Sequence, residues 1–178
     1  LTIIFKANDP TRIAKQISLS QLGSIKLDKD ETKKMITTIP RSSVLGFIIG
    51  VLPGAGSTIA SFLAYGMERN FVKDDEKQKF GKGSVNGLAA PETANNAACS
   101  GSFVPLLTLG IPGSGTTAVM LGALLGFGIQ PGPRLYQTNP EIFWSVIMSM
   151  YIGMVILLIL NLPLIPYIAR VLATPRTF

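Results

Sequence analysis

Residues 42 to 67 read SSVLGFIIGVLPGAGSTIASFLAYGM, a stretch without a single charge that is broken at its centre by Pro53-Gly54-Ala55-Gly56-Ser57. It is longer than the ~20 residues a helix needs to cross a bilayer core. A continuous helix would tolerate the centre badly, because Pro removes a hydrogen bond and each Gly costs ~1 kcal/mol. The stretch is therefore expected to form two half-length helices, Val44 to Leu52 and Ser57 to Met67, each ~15 Å long, about half the core thickness. Basic residues stand at both ends, Arg41 before and Arg69, Lys73, Lys77, Lys79 and Lys82 after. The positive-inside rule places both ends on the cytoplasmic side, as a re-entrant hairpin would have them; the competing reading is a full span with one basic loop outside.

The uncharged stretch Thr93 to Pro133 repeats the device. Val104 to Ile111 and Thr116 to Phe127 flank Pro112-Gly113-Ser114-Gly115-Thr116-Thr117, which lies in register with Pro53-Gly54-Ala55-Gly56-Ser57-Thr58 at a spacing of 59 residues. Paired Gly/Pro-broken apolar segments point to a transporter site near the bilayer midplane, where half-helices meet. The alternative is unrelated Pro-Gly turn chemistry at two places. A third stretch, Ile142 to Ala169, opens with Asn139-Pro140-Glu141 and is expected to be a spanning scaffold helix, tilted or bent near Pro163. The fold class these stretches predict is all-α and membrane-integral: a polytopic helical bundle with two re-entrant or discontinuous helices. Residues 1–41 are expected to be a polar cytoplasmic segment and 42–178 a transmembrane region.

Charge is distributed accordingly. Residues 1–82 hold 13 Lys or Arg and 8 Asp or Glu, whereas the other 96 hold 3 and 2. Mean hydropathy is +0.41, and the charged share of 15% is well below the ~25% of soluble domains. The basic residues sit beside apolar stretches and lack interleaved aromatics, which argues against nucleic acid. One cysteine, Cys99, and no histidine exclude an internal disulfide and an ordinary His/Cys zinc site. The N-terminus lacks the basic region of a signal peptide, and a chain running from Leu1 to Phe178 reads as a fragment. Within the polar segment an amphipathic piece is expected around Arg12 to Leu22, followed by a helix from Asp30 to Ile39 stopped by Pro40.

Gly-Ala-Gly-Ser is not a Walker loop, since no Lys lies between Arg41 and Lys73. What remains is the anion affinity of small residues at a helix N-terminus, whose amides stay open. The adjacent hydroxyls Ser57-Thr58, and Ser114 with Thr116-Thr117, can cap those helices or help their amides hold a carboxylate. Between the breaks, Glu92, Asn95 and Asn96 sit among alanines too small to cover them. With backbone carbonyls from a break they could form an oxygen-rich Na⁺ site; for Glu92 a helix cap or a cytoplasmic-edge position is the equal alternative. The run of Ala, Ser and Gly from Ala89 to Ser102 would let helices approach closely. Arg134, after the turn Gln130-Pro131-Gly132-Pro133, reads as an interfacial anchor rather than a ligand for substrate.

Several motifs together resemble the large permease subunit of tripartite tricarboxylate transporters, the TctA family: Gly50-Val51-Leu52-Pro53-Gly54-Ala55-Gly56, Phe80-Gly81-Lys82-Gly83, Ala90-Pro91-Glu92-Thr93-Ala94-Asn95-Asn96-Ala97, Pro105 through Ser114, and Gln130-Pro131-Gly132-Pro133. The resemblance covers about residues 40 to 170. It implies a multi-pass permease of the bacterial inner membrane that takes up citrate or related carboxylates on a Na⁺ or H⁺ gradient. Its partners would be a periplasmic solute-binding protein and a small membrane subunit, with no further cofactor and no enzymatic activity. Family members are several-fold longer, so the segment facing these breaks would lie outside the chain. Two rivals are weaker: a channel-like pore, for which no ring of filter carbonyls is evident, and a membrane-embedded enzyme, for which Ser57 and Ser114 have no histidine.

Overall fold

The computed structural model describes residues 28–172; the expected amphipathic piece around Arg12 to Leu22 lies outside them. Asp28 opens the first helix, α1 (Lys29–Val51), with a capping box in which the Glu31 carboxylate accepts from the Asp28 amide at 3.0 Å. The helix runs through Pro40, so the expected stop at Ile39 is corrected. Pro40 forfeits one backbone hydrogen bond, but Thr38 and Ser42 on either side are both fully buried. Tertiary packing thus holds both halves on one axis where local propensity would have ended the helix.

The first break falls at Leu52–Ala55, and α2 (Gly56–Phe71) follows. Gly54 and Gly56 take φ of +81° and +69°, left-handed values that L side chains rarely adopt. The chain reverses there: Arg41 and Glu68 form an ion pair at 2.8 Å, so the outer ends of α1 and α2 lie side by side. The backbone thus forms a hairpin around the break, but its limbs are not the half-length helices expected: α1 already begins at Lys29 and α2 runs on to Phe71, ~35 and ~24 Å.

A short helix, α3 (Asp74–Lys77), and a turn that buries Phe80 edge-on against Tyr65 lead to α4 (Val85–Gly101). Ser84 caps α4 by accepting from the Gly87 amide at 3.1 Å. Helix α4 runs parallel to α1 and antiparallel to α2. Each helix presents a stripe of small or polar residues one turn apart: Thr38, Ser42, Gly46 and Gly50 on α1; Ala60, Ala64 and Glu68 on α2; Asn86, Ala90, Ala94 and Ala98 on α4. These stripes are the core of the body formed by Asp28–Met148. A Cβ added to Gly46 would lie 2.6 Å from Ala94 Cα, and one added to Gly50 would lie 2.6 Å from Ala98 Cα. The α1–α4 seam is thus backbone against backbone, as small-residue packing in apolar surroundings predicts.

Helix α5 (Phe103–Leu109) continues from α4 and is ended by Gly110 at φ +69°. The amide of Gly110 donates to Leu106 O and that of Ile111 to Pro105 O, closing the last carbonyls of α5 upon themselves. The second break follows, then α6 (Gly115–Gly126) and α7 (Leu135–Thr138). The last helix, α8 (Pro140–Leu172), runs through Pro163; its start is tied down by edge-on contacts of Phe143 with Tyr136 and Trp144. Among the described residues α8 is the one helix long and apolar enough to cross a membrane, with a mean hydropathy of 2.4 over its richest window. The described residues contain helices and no strand.

Candidate functional site

The two breaks meet. Gly113 in the second is buried against the end of α1: a Cβ added there would stand 3.3 Å from the Gly50 carbonyl and 3.0 Å from Ser102 Cβ. A side chain at Gly113 would require Ser102 or the end of α1 to give by a few tenths of an ångström, and the starts of α2 and α6 share one cleft of about 560 Å³. Nine of the twelve residues expected to bind substrate line that cleft: Gly54, Gly56, Ser57 and Thr58 from the first break, and Pro112, Gly113, Ser114, Gly115 and Thr116 from the second. Pro53, Ala55 and Thr117 do not line it.

The hydroxyls divide by role. Ser114 and Thr117 cap each other: Ser114 Oγ accepts from the Thr117 amide at 3.3 Å, and Thr117 Oγ1 accepts from the Ser114 amide at 2.8 Å. Thr117 also donates to Ser114 O at 2.9 Å and is 1% exposed. These two hydroxyls are spent on the helix. Helix α2 starts without any side-chain cap, so its first-turn amides, together with the exposed Thr58 and Thr116, are what the cleft offers a ligand. Both helices direct a positive dipole end towards it. No Asp, Glu, Lys or Arg lines the cleft, so it suits an anion held by amides and hydroxyls rather than by an ion pair.

Glu92, Asn95 and Asn96 are brought onto α4, away from this cleft. Glu92 and Asn96 are exposed, and the Asn96 amide is occupied by the Glu92 carbonyl at 2.9 Å. Asn95 is half-buried, with Nδ2 3.4 Å from Ser61 Oγ, and Cys99 Sγ lies 3.7 Å from Asn95 Oδ1. Among the described residues no cluster of three or more His, Cys, Asp or Glu could hold a metal. Arg134 is exposed at the start of α7.

The polar cluster that sequence reasoning passed over lies at the opposite end of the hairpin. Glu68 is fully buried, and its Oε1 accepts from Thr38 Oγ1 at 2.8 Å, Arg41 Nη2 at 2.8 Å and Asn86 Nδ2 at 3.2 Å. Asn86 Nδ2 also donates to Thr38 Oγ1 at 2.7 Å. Arg41 stands over the Phe71 ring at 5.1 Å. Glu68 looks in sequence like one charge of a basic loop; the signal that sets it apart is its place one turn beyond Ala60 and Ala64. Outside the cluster, Lys34 bridges Asp30 at 2.8 Å and Glu76 at 3.2 Å, and Lys79 joins Glu76 at 3.1 Å. Burial pushes the Glu76 carboxyl up, but hydrogen bonds from Lys79 and Lys34 outweigh it and hold it below its ordinary value. Hydrogen bonding between Lys34 and Asp30 likewise lowers the Asp30 carboxyl and raises the Lys34 ammonium.

Known proteins are similar to this chain over most of its length. An uncharacterised 52.8 kDa protein encoded in the TAR-I ttuC' 3' region of Agrobacterium vitis is 42% identical over 161 residues, which is 90% of this chain and 32% of that protein. A second uncharacterised Agrobacterium vitis protein, from the TAR-II ttuC' 3' region, is 48% identical over 130 residues, 73% of this chain and 53% of that protein. The chain thus spans between about a third and a half of the relatives it matches. No solved structure matches. The family model described as the tripartite tricarboxylate transporter TctA family matches residues 2–178, and the chain belongs to that family of membrane transporter components.

Proposed function

We propose that the chain forms part of a permease subunit for ion-gradient-driven uptake of tricarboxylates or related carboxylates, and that the cleft between its two Pro-Gly breaks is one wall of the substrate site. The observation that carries this reading is the convergence of both breaks on one uncharged cleft that receives two helix N-termini. Carboxylates are among the anions that such helix N-termini bind. In this reading α1 and α2 enter the bilayer as a re-entrant hairpin with their basic ends on the cytoplasmic face, and α8 spans it. The parent protein is multi-pass in a bacterial inner membrane and receives substrate from a periplasmic solute-binding protein beside a small membrane subunit.

The coupling ion in this proposal is Na⁺ or H⁺. Glu92 and Asn96 take part through an exposed face of α4 and Asn95 from its half-buried flank, so a site built on them draws further oxygen atoms from parts of the permease outside this chain. The test is uptake of radiolabelled citrate, with a panel of other di- and tricarboxylates, into proteoliposomes carrying the full-length permease, its small subunit and its binding protein. Saturable uptake that depends on an imposed Na⁺ or proton gradient supports the reading. Flux that neither saturates nor responds to a gradient would establish a channel-like subunit instead.

A further inference from the structure

A second cleft of about 560 Å³ lies at the outer ends of α1 and α2, beside α3 and the start of α4. Lys33, Lys34, Arg41, Lys73 and Lys79 line it together with Asp30, Asp75 and Glu76. Most of these charges are engaged: Lys34 with Asp30 and Glu76, Lys79 with Glu76, and Arg41 with the buried Glu68 beneath. With Glu68 included, five cations meet four carboxylates, so one positive charge is left over. Lys33 and Lys73 are exposed and form no ion pair among the described residues, and Asp75 is the lining carboxylate in the same state. Towards the break this cleft gives way to an apolar face. Lys33, Thr37 and Arg41 recur every four residues on α1, and Val44, Ile48 and Leu52 continue the same face. Those three are exposed, opposite the buried stripe of Thr38, Ser42, Gly46 and Gly50. From Arg41 to Leu52 the face is ~16 Å long, about the hydrocarbon depth of one leaflet. Exposed Phe71 stands at the rim, its ring 5.1 Å from the Arg41 guanidinium.

We propose that this cleft holds the phosphodiester headgroup of an anionic phospholipid, whose acyl chains lie along Val44, Ile48 and Leu52. A phosphodiester carries one negative charge and only accepts hydrogen bonds, which matches the single excess positive charge and the free ammonium groups of Lys33 and Lys73. A zwitterionic lipid brings its own cation and cancels that attraction. A soluble phosphoester would satisfy the lysines but leave the apolar face beside them uncovered; basic cleft and apolar face on one side of one helix together call for a lipid. The inference rests on the re-entrant hairpin reading, which puts this end of α1 and α2 at the cytoplasmic surface, where anionic headgroups gather.

The experiment is thermal unfolding of the purified full-length permease in neutral detergent. It is titrated with dispersed phosphatidylglycerol, with phosphatidylcholine of the same chains, and with the deacylated headgroup glycerophosphoglycerol. A bound ligand raises the midpoint by mass action. Phosphatidylglycerol should raise it at concentrations where the other two do not. Lys33→Gln with Lys73→Gln, at two exposed and unpaired positions, should keep the lipid-free midpoint and raise the half-saturating phosphatidylglycerol concentration about thirtyfold, the product of about fivefold for each lysine. Arg69→Gln with Lys82→Gln removes the same charge from exposed positions outside the cleft and should respond as wild type. The proposal is overturned if phosphatidylcholine acts as well as phosphatidylglycerol, or if both double variants weaken the response equally, the mark of diffuse surface attraction. It is overturned equally if the Lys33 and Lys73 variant responds as wild type, as it will where the rest of the permease covers the cleft, or if the soluble headgroup acts as strongly as the lipid. Arg69→Cys in a permease with its other cysteines replaced, labelled by a membrane-impermeant maleimide, reads the hairpin separately. Labelling from the cytoplasmic face without a selective lipid response overturns the lipid site alone. Labelling only from the opposite face, with the lipid response intact, counts against the hairpin reading and leaves the lipid site standing.

Discussion

Replacing Gly46 by Ala puts a methyl group where α1 meets the backbone of α4. The added Cβ would stand 2.6 Å from Ala94 Cα and 2.9 Å from its carbonyl carbon, whereas carbon atoms at rest sit about 3.5–4.0 Å apart. The seam must therefore open by roughly 1 Å. No flexible side chain is available to yield, because every atom struck belongs to the backbone of Ala94. Overpacking of this kind costs about 1–3 kcal/mol, and the upper end applies because opening at Gly46 also loosens Gly50 against Ala98. Gly46→Ala alone should lower the stability of the full-length permease by about 2–3 kcal/mol, read from thermal or denaturant unfolding in detergent. The double variant with Gly50→Ala should cost less than the sum, since the first opening relieves the second clash. Ala94→Gly should not rescue it, because the obstructing atoms remain. Gly66, exposed on α2 with nothing within 4 Å of an added Cβ, is the control: Gly66→Ala should be neutral or stabilise by up to about 1 kcal/mol. A Gly46→Ala permease within about 0.5 kcal/mol of wild type would refute the seam.

Three further outcomes are expected. Ser114→Ala removes one half of the capping box and should destabilise α6 by about 1 kcal/mol, seen as faster hydrogen exchange in its first turn. Glu76 titrates below its ordinary value of 4.5, so its contribution is full above that pH and fades as pH falls through the lower folded value. Lys34→Ala should accordingly destabilise the protein at neutral pH, a difference that shrinks towards zero on acidification well below pH 4.5 when unfolding is measured along a pH series. Thr58→Val and Thr116→Val should each weaken carboxylate affinity by roughly tenfold, the worth of one hydrogen bond to a charged group, with folding unchanged.

Much of this architecture is legible in the sequence because its signals are local. Pro and Gly at the centre of two uncharged runs announce the breaks, and basic residues at both ends of the first run announce a hairpin. The register of the two breaks also anticipates that they line one cleft. What sequence does not carry is the result of packing. Pro40 reads as a stop because the stabilisation of α1 comes from Thr38 and Ser42 buried against other helices. Glu68 reads as a loop charge because its partners, Thr38 and Asn86, lie 30 and 18 residues away. The division of labour among hydroxyls is invisible in the same way: Ser114 and Thr117 close on each other, while Thr58 and Thr116 stay open.

The paired-break site is tested most directly at Gly115, which lines the cleft in a helical conformation with nothing within 4 Å of an added Cβ. Gly54 and Gly113 are poorer probes, the first because of its positive φ and the second because it is packed against Gly50 and Ser102. Gly115→Leu fills the cleft without straining the chain. Equilibrium binding of labelled citrate and related di- and tricarboxylates should be compared between wild-type and Gly115→Leu full-length permease, alongside their unfolding midpoints. The account predicts an unchanged midpoint and loss of carboxylate binding, because the leucine takes the space beside the two helix N-termini. A folded Gly115→Leu permease that binds carboxylate as wild type does would contradict it.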